Sequence, residues 1–373
     1  MTQTPGFADL AAPALPTGFV HPRIRRGRGA VENLPGRYER EIRAPAPDLD
    51  EGLPEEEPLA PLRTQVHAYR DREVLTKVDS PDLPFDRSLN PYRGCEHGCV
   101  YCYARPTHAY LGLSPGLDFE TEIFAKQDAA ERLAESFRRP GYRPAPIAIG
   151  TVTDPYQPVE RDLNLMRPIL KLLLETRHPA MIVTKSASVL RDLDLLAQMA
   201  RLELVSVGIS ATTLDHKLAR AMEPRASTPQ RRLAAMAALS AAGVPTTIMA
   251  APIVMGLNDH ELEGILKAAA GAGARSAHYQ PLRLPGETRA VFDAWLDEKL
   301  PERAARVKRA VAEMEEQGFG ERFKGKGVAA QLLAQRFALA MRRHKFGGRP
   351  ALRTDLFRRP LRRGDQISFF DRL

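Results

Sequence analysis

The chain has 373 residues, 43% of them hydrophobic, with 54 Lys or Arg against 46 Asp or Glu and a formal charge of +8. That length admits two domains or one α/β barrel, and three cysteines with no even set for pairing exclude a disulfide scaffold and point to a reducing compartment. No stretch approaches the roughly 18 uninterrupted apolar residues of a membrane helix, and the early GFADLAAPALPTGFV is broken by Asp9 and by prolines, so it forms no signal-peptide core. A cytoplasmic protein without membrane contact is expected.

Ten of the 31 prolines fall in residues 1–61, beside a basic run at Arg23–Arg28 and an acidic one at Asp48–Glu57. Such composition buries little, so residues 1–62 read as a flexible arm whose RIRRGRG stays solvated or touches phosphate. Residues 63–330 read as a core domain. From Arg63 to Asp79 mixed apolar and charged residues predict one or two lead-in strands, and Asn90–Arg105, NPYRGCEHGCVYCYAR, then holds every cysteine. Beyond it helix and strand alternate. Ala129, Leu133 and Phe137 fall at helical spacing before a short apolar strand, PIAIGT, at 146–151. Leu163, Met166, Ile169, Leu170, Leu173 and Leu174 make a helical stripe with Pro168 near its first turn, and Met181–Thr184 is the next strand. Leu190, Leu193, Leu196 and Met199 precede a strand over 202–210. Thr228 and Pro229 open a helix that Gly243 closes, a strand follows at Thr246–Ala250, and a helix over 259–270 leads to a last strand at Ala277–Tyr279. Counting one strand before the cysteines, six strands alternate with amphipathic helices, which implies βα units and a parallel sheet. Residues 331–373 read as a basic C-terminal helix and tail; ten Lys or Arg against three Asp in 341–373 suit phosphates.

Cys95, Cys99 and Cys102 are spaced C-x3-C-x2-C, with Gly94 and Gly98 placed to fold the backbone so that three thiols converge. A [4Fe–4S] cluster is normally held by four thiolates, so three leave one iron open to the amino and carboxylate groups of a small molecule. S-adenosylmethionine (SAM) fits, and a reduced cluster at low potential passes an electron into its sulfonium to give a 5′-deoxyadenosyl radical. Tyr101 stands where an adenine could pack. The alternatives are a structural zinc site, Cys3His, with His97 or His108 as fourth ligand, and buried thiols acting as small apolar groups.

The loop resembles the cluster motif of the radical SAM superfamily. The wider GCEHGCVYCYARPTHAYLGLSPGLDFETEIFAK and TVTDPYQPVE resemble its branch related to spore photoproduct lyase, and within it an uncharacterised bacterial subfamily. The resemblance implies an α/β fold, a partial (β/α)6 TIM-like barrel, with a [4Fe–4S] cluster, SAM, and an electron donor such as flavodoxin or ferredoxin.

Barrel chemistry gathers at the C-terminal strand ends. Where these enzymes commonly carry Gly-Gly-Glu for the SAM amino group, this chain has Thr151–Pro158, in which Thr153 and Asp154 offer a hydroxyl and a carboxylate, or Asp154 starts a turn with Pro155. Lys185 ends the third strand, where the resemblance sets a lysine against the SAM carboxylate; otherwise it is solvated. Ser210 and Thr212 suit ribose or carboxylate, although Thr212 or Thr213 also suits the cap of a helix near Asp215. Glu223 and Arg225 are either a carboxylate-binding group or a surface pair. Gly256, in APIVMGLND, resembles the stretch that packs under the adenine and allows close backbone approach, with Asn258 or Asp259 capping the next helix. His278, Tyr279, Gln280 and Arg283 face the opening. Tyr101, Tyr103 and His278 are the catalytic candidates; Tyr92, Tyr101 and Tyr103 either pass a hydrogen atom or pack.

Spore photoproduct lyase, by the resemblance, returns hydrogen through a further cysteine, which this chain lacks, so thymine-dimer repair in that manner is not expected. Gln366–Phe370, QISFF, resembles the peptide by which bacterial repair proteins dock on the replicative sliding clamp. The expected function is a radical SAM enzyme acting on a nucleic acid or another bulky substrate. The alternatives are a metal-bound, DNA-associated module without radical chemistry and a radical SAM enzyme for a small metabolite.

Overall fold

A computed structural model describes residues 20, 23–38, 60–315, 318 and 320–361. Among the described residues ten strands form: β1 (Gln65–Ala68), β2 (Leu75–Lys77), β3 (Arg87–Leu89), β4 (Tyr92–Arg93), β5 (Glu122–Ala125), β6 (Ile147–Ile149), β7 (Ala180–Thr184), β8 (Val205–Ser210), β9 (Thr246–Ile253) and β10 (Ser276–Pro281). The large sheet runs β10-β9-β8-β7-β6-β3-β2. Its six strands from β3 to β10 pair in parallel and in sequence order, and β2 is antiparallel on the edge. This is the expected partial (β/α)6 barrel.

Strand pleating sorts the side chains. Ile147, Ile149, Ile182, Val205, Val207, Ile209 and Ile248 are buried beneath helices Ala129–Arg138, Met166–Glu175, Leu193–Arg201, Pro229–Ala241 and Leu262–Gly271. Residues of the alternate register, among them Val183, Gly208, Ser210 and Met249, line the concave face, where a Cβ on Gly208 would meet Val183 and Met249 at 3.4 Å. A small sheet, β1-β5-β4, sits beside the barrel and delivers the chain from β4 straight into Gly94 and Cys95. Helices Thr288–Lys299 and Pro301–Met314, which the sequence analysis did not foresee, build a second core of Phe292, Trp295, Leu296 and Val307 against Cys99, Val100 and Tyr101.

Both ends of the chain depart from expectation where they are described. RIRRGRG is only partly solvated: Arg23, Arg26 and Gly27 are exposed, but Arg25 and Arg28 are not free in water. Arg25 is buried and its guanidinium meets Glu298 at 2.5 Å, while Arg28 donates to the carbonyls of Glu120 and Leu62 at 2.9 and 2.8 Å; composition predicted solvation because these acceptors lie far away in sequence. After helix Gly327–Arg343, residues 344–361 pass beneath the sheet at the N-terminal strand ends. Gly347, Arg353 and Arg358 N–H donate to the carbonyls of Arg275, Glu203 and Thr176 at 2.8, 3.0 and 2.8 Å, and Phe357 inserts among Phe137, Tyr142 and His178. This part of the basic tail is therefore a strap on the barrel. The clamp-like Gln366–Phe370 lies outside the described residues, as does most of the N-terminal arm. Among the described residues no helix is long and apolar enough to cross a membrane.

Candidate active site

The cysteine loop lies at the C-terminal mouth of the parallel sheet and is fixed from three sides. Gly94 and Gly98 both take positive φ, +79° and +66°, and a side chain at Gly98 would run into the Glu120 carboxylate at 2.6 Å. From the sheet side, Asn90 at the end of β3 accepts the N–H groups of Thr151 and Val152 at 3.0 and 3.1 Å. The loop so held reaches back: Thr153 Oγ1 donates to Gly94 O at 2.7 Å, Gln157 Oε1 accepts Glu96 N–H at 2.8 Å, and Glu96 Oε2 accepts Val159 N–H at 2.7 Å. From behind, buried Arg105 donates to the carbonyls of Cys99 and Gly116 at 2.9 and 2.7 Å and to Glu120 Oε1 at 2.6 Å. Glu120 completes its shell with the N–H groups of Gly29 and Ala30, both at 2.8 Å. The N-terminal segment thus backs the loop, and a Cβ on Gly29 would lie 1.8 Å from Gly98 O.

The three thiols are free, Cys95 and Cys99 buried and Cys102 partly exposed. Burial is the main influence raising the pKa of each, to about 12 for Cys99, and for Cys95 charge on Asp154, Cys99 and Cys102 adds to it. Left alone they hold their protons, so a metal must displace those protons to bind. Lys185, at the end of β7, brings the compensating charge. Burial opposes its ionisation, but Cys99, Glu223 and Cys102 outweigh burial and raise its pKa, and Nζ lies 5.7 Å from the centre of the Tyr101 ring.

Beneath Lys185 lies a buried network. Glu223 accepts from Arg232 Nη2, Tyr101 OH and, at 2.7 Å, Thr212 Oγ1. Burial works to raise the Glu223 pKa; Arg232 and Lys185 overcome it and hold the carboxyl down at about 2. The expected Glu223 and Arg225 pair does not form. Arg225 instead meets Glu96 Oε1 at 3.1 Å, because the turn after helix His216–Met222 sends the two side chains apart.

Other expectations fare unevenly. Tyr101, 6% exposed, is packed in the second core and offers no open ring for stacking; Tyr103, 49% exposed with its hydroxyl on Thr151 O, is the accessible aromatic. Tyr92 is buried with its hydroxyl on Glu160. Asp154 does make the turn: Oδ1 accepts Tyr156 N–H at 2.9 Å and Thr184 Oγ1–H at 2.7 Å, and Oδ2 accepts Lys185 N–H at 2.7 Å. Burial raises its pKa, but His97, 3.3 Å from Oδ2, and these donors lower it to about 2. Its oxygens are spent holding β7 to the loop. Ser210 donates to Ala251 O at 3.2 Å on the concave face. Asp215 itself, not Thr212 or Thr213, caps the helix that follows, and Thr213 donates to Glu261 Oε1 at 2.5 Å. Neither Asn258 nor Asp259 caps: Asn258 Oδ1 accepts Val254 N–H, and Asp259 accepts Gly256 N–H. Gly256 needs its positive φ of +79°, but a Cβ there would meet only Arg306 and Val307 at 3.8 Å, so no close backbone approach requires it. His278 alternates with Ala277 and Tyr279, whose side chains pack on the outer core, and burial followed by Arg349 lowers its pKa.

This donor set suits a cluster with three protein ligands. Three thiols from one loop influence one another's ionisation, a lysine ammonium faces two of them, and the chain has no fourth cysteine. Of the histidines of the zinc alternative, His97 lies beside Asp154 and His108 donates through Nε2 to Glu122 O at 2.9 Å, its Nδ1 having no hydrogen-bond partner among the described residues. Among the described residues no three His, Cys, Asp or Glu side chains are grouped to hold a single ion.

Comparison with known proteins agrees. The family model for the radical SAM superfamily matches residues 89–269. The uncharacterized protein Rv2578c of Mycobacterium tuberculosis is 40% identical over 245 residues, 65% of this chain and 72% of the relative. The chain belongs to the radical SAM superfamily. The radical SAM protein also matches the uncharacterized protein MJ0683 of Methanocaldococcus jannaschii, 28% identical over 173 residues, 46% of this chain and 62% of the relative. Spore photoproduct lyase complexed with dinucleoside spore photoproduct shares the fold, with a TM-score of 0.56, 16% identity, and coverage of 79% of this chain and 84% of that one. Membership makes the chain a radical SAM enzyme and implies a [4Fe–4S] cluster and SAM.

Asn90, Arg105, Glu120, Gln157 and Arg232, which hold the loop and its network, stand out in no local sequence pattern. None carried a usable signal: Glu120 is one of three carboxylates in Asp118–Glu122 with nothing to single it out, and the partners of the others are distant in sequence.

Proposed function

We propose that Cys95, Cys99 and Cys102 hold the [4Fe–4S] cluster, that SAM completes it, and that the enzyme acts on a nucleic acid. The observation that carries this reading is three free thiols on one loop at the mouth of the parallel sheet, two of them, Cys99 and Cys102, within electrostatic reach of the Lys185 ammonium. When bound, the cluster supplies the electron, received from a small redox protein, that opens the SAM sulfonium. The chain's own groups prepare the place. Lys185 offers a cation to a carboxylate, and Glu223 sustains that charge while holding Tyr101 in the wall. Ser210, on the concave face, gives its hydroxyl proton to Ala251 O and keeps acceptor capacity for a ribose hydroxyl. Thr153, Gln157 and Arg105 fix the loop backbone, so the ligating sulfurs keep their positions as charge changes. Every cysteine lies within the loop, so hydrogen return falls to another group, and Tyr103 is the accessible phenol.

The nucleic-acid reading is supported by the fold shared with an enzyme solved with a dinucleoside photoproduct; the net charge of +8 lies almost wholly in residues 341–373. The tail from Gly347 to Arg358 is bound beneath the sheet, so contact with the substrate is assigned to the mouth. The test is an anaerobic incubation with dithionite and SAM, with 5′-deoxyadenosine quantified as oligonucleotides are added. Release of 5′-deoxyadenosine that a particular oligonucleotide alters supports the reading; release indifferent to every oligonucleotide but altered by a small metabolite replaces the substrate class.

A further inference from the structure

One cation at the mouth has no role so far. β10 ends at Pro281, and Leu282 N–H on Ile253 O at 2.9 Å and Leu284 N–H on Glu315 Oε1 at 3.1 Å fix the backbone on either side of Arg283. Leu282 and Leu284 point into the core shared with Cys99, Val100 and Tyr101, and the intervening Arg283 comes within electrostatic reach of the exposed Tyr103. Its guanidinium lies 5.4 Å from the centroid of Phe323, and Arg322 lies 5.1 Å from the same ring. Arg322 is tied across the gap between the two sheet edges, meeting Asp82 Oδ2 at 2.7 Å and Ser80 Oγ at 2.5 Å in the β2–β3 connection. Arg283 makes no hydrogen bond or ion pair with any described residue, and its Nε is buried without an acceptor. Burial and the neighbouring Arg322 lower its pKa against the smaller opposing pull of Glu315 and Asp82, neither of which bonds to it.

A buried donor left without an acceptor is destabilising, the more so when charged. Arg322 already has its anion in Asp82, whereas Arg283 has no acceptor bonded to it among the described residues. The planar fork of arginine matches a phosphate through two parallel hydrogen bonds. We propose that Arg283, stacked on Phe323 and flanked by Arg322, is a phosphate-binding site that anchors the substrate at the mouth beside Tyr103. The site deepens the nucleic-acid reading, because the anchored group is then a backbone phosphate; a mononucleotide would present the same chemistry.

The test uses the full-length protein, reconstituted anaerobically with SAM, and two probes: a fluorescein-labelled single-stranded decanucleotide followed by anisotropy, and a nucleoside monophosphate followed by calorimetry. Arg283→Gln is expected to weaken decanucleotide binding at least about tenfold and to lower the slope of log affinity against log salt by about one. Arg283→Lys, which keeps the charge but not the fork, is expected to lie between. Arg132→Gln, on the outer helix, is expected to bind as wild type. Loss confined to the monophosphate keeps the phosphate site and overturns the nucleic-acid reading. Failure of the wild type to bind either probe, or equal affinity and salt slope in Arg283→Gln with its cluster absorbance intact, overturns the site.

Discussion

Gly29→Ala drives one methyl group between the N-terminal segment and the cysteine loop. The new Cβ would stand 1.8 Å from Gly98 O and 2.9 Å from its carbonyl carbon, where real Cβ atoms stay beyond 3.0 Å, so the backbones must part by about 1.2 Å. That displacement takes the Gly29 and Ala30 N–H groups, each 2.8 Å from Glu120, out of hydrogen-bonding range. Two bonds to a charged acceptor at about 1.5–3 kcal/mol each amount to about 3–6 kcal/mol, enough to release the segment while Glu120 stays paired with Arg105. Limited trypsin digestion reads the release, because Arg28 is guarded by its bonds to Glu120 O, Leu62 O and Thr64 Oγ1. The expected result is faster cleavage after Arg28 and less iron and sulfide per chain after reconstitution. Wild-type protection of Arg28 together with full iron content in Gly29→Ala would refute the idea that this segment backs the loop.

Lys185→Met should weaken SAM binding about tenfold or more by removing a charge-assisted contact, measured by equilibrium dialysis of the reconstituted protein; unchanged affinity would free Lys185 of that role. Phe357→Ala should cost about 3 kcal/mol, the lower end for such truncations because the ring is only partly buried, and should shift the urea midpoint; no shift would mean that the strap does not stabilise the barrel. Burial holds the His108 and His178 imidazoles down at about 4, against an ordinary 6.5. The unfolded chain therefore takes up two protons between pH 6.5 and 4 that the folded chain refuses. Stability present above pH 6.5 declines across that window, by about 3 kcal/mol per histidine once pH 4 is reached; a urea midpoint flat from pH 7 to 4.5 would contradict this.

Local pattern carried the fold well and the site unevenly. The C-x3-C-x2-C loop, its two glycines and the alternation of apolar strands with helical stripes are short-range signals, and β6 to β10 form where they were expected. Side-chain partners are long-range facts. Glu223 selects Arg232, one helix turn into Pro229–Ala241, over Arg225 two residues away, because only Arg232 points under the sheet with it. Gly29 looks like any glycine in a polar, proline-rich arm until Gly98 O appears beside it, 69 residues on. The C-terminal strap escaped for a similar reason: its arginines suggested phosphate, while its backbone N–H groups and Phe357 met the strand ends.

The most direct measurement is the electron paramagnetic resonance spectrum of the reduced, anaerobically reconstituted protein before and after SAM, with metal content determined on the same sample. A cluster held by Cys95, Cys99 and Cys102 with one iron open predicts about four irons per chain and a spectrum that changes when SAM is added. Stoichiometric zinc with a spectrum that SAM leaves unaltered would contradict it.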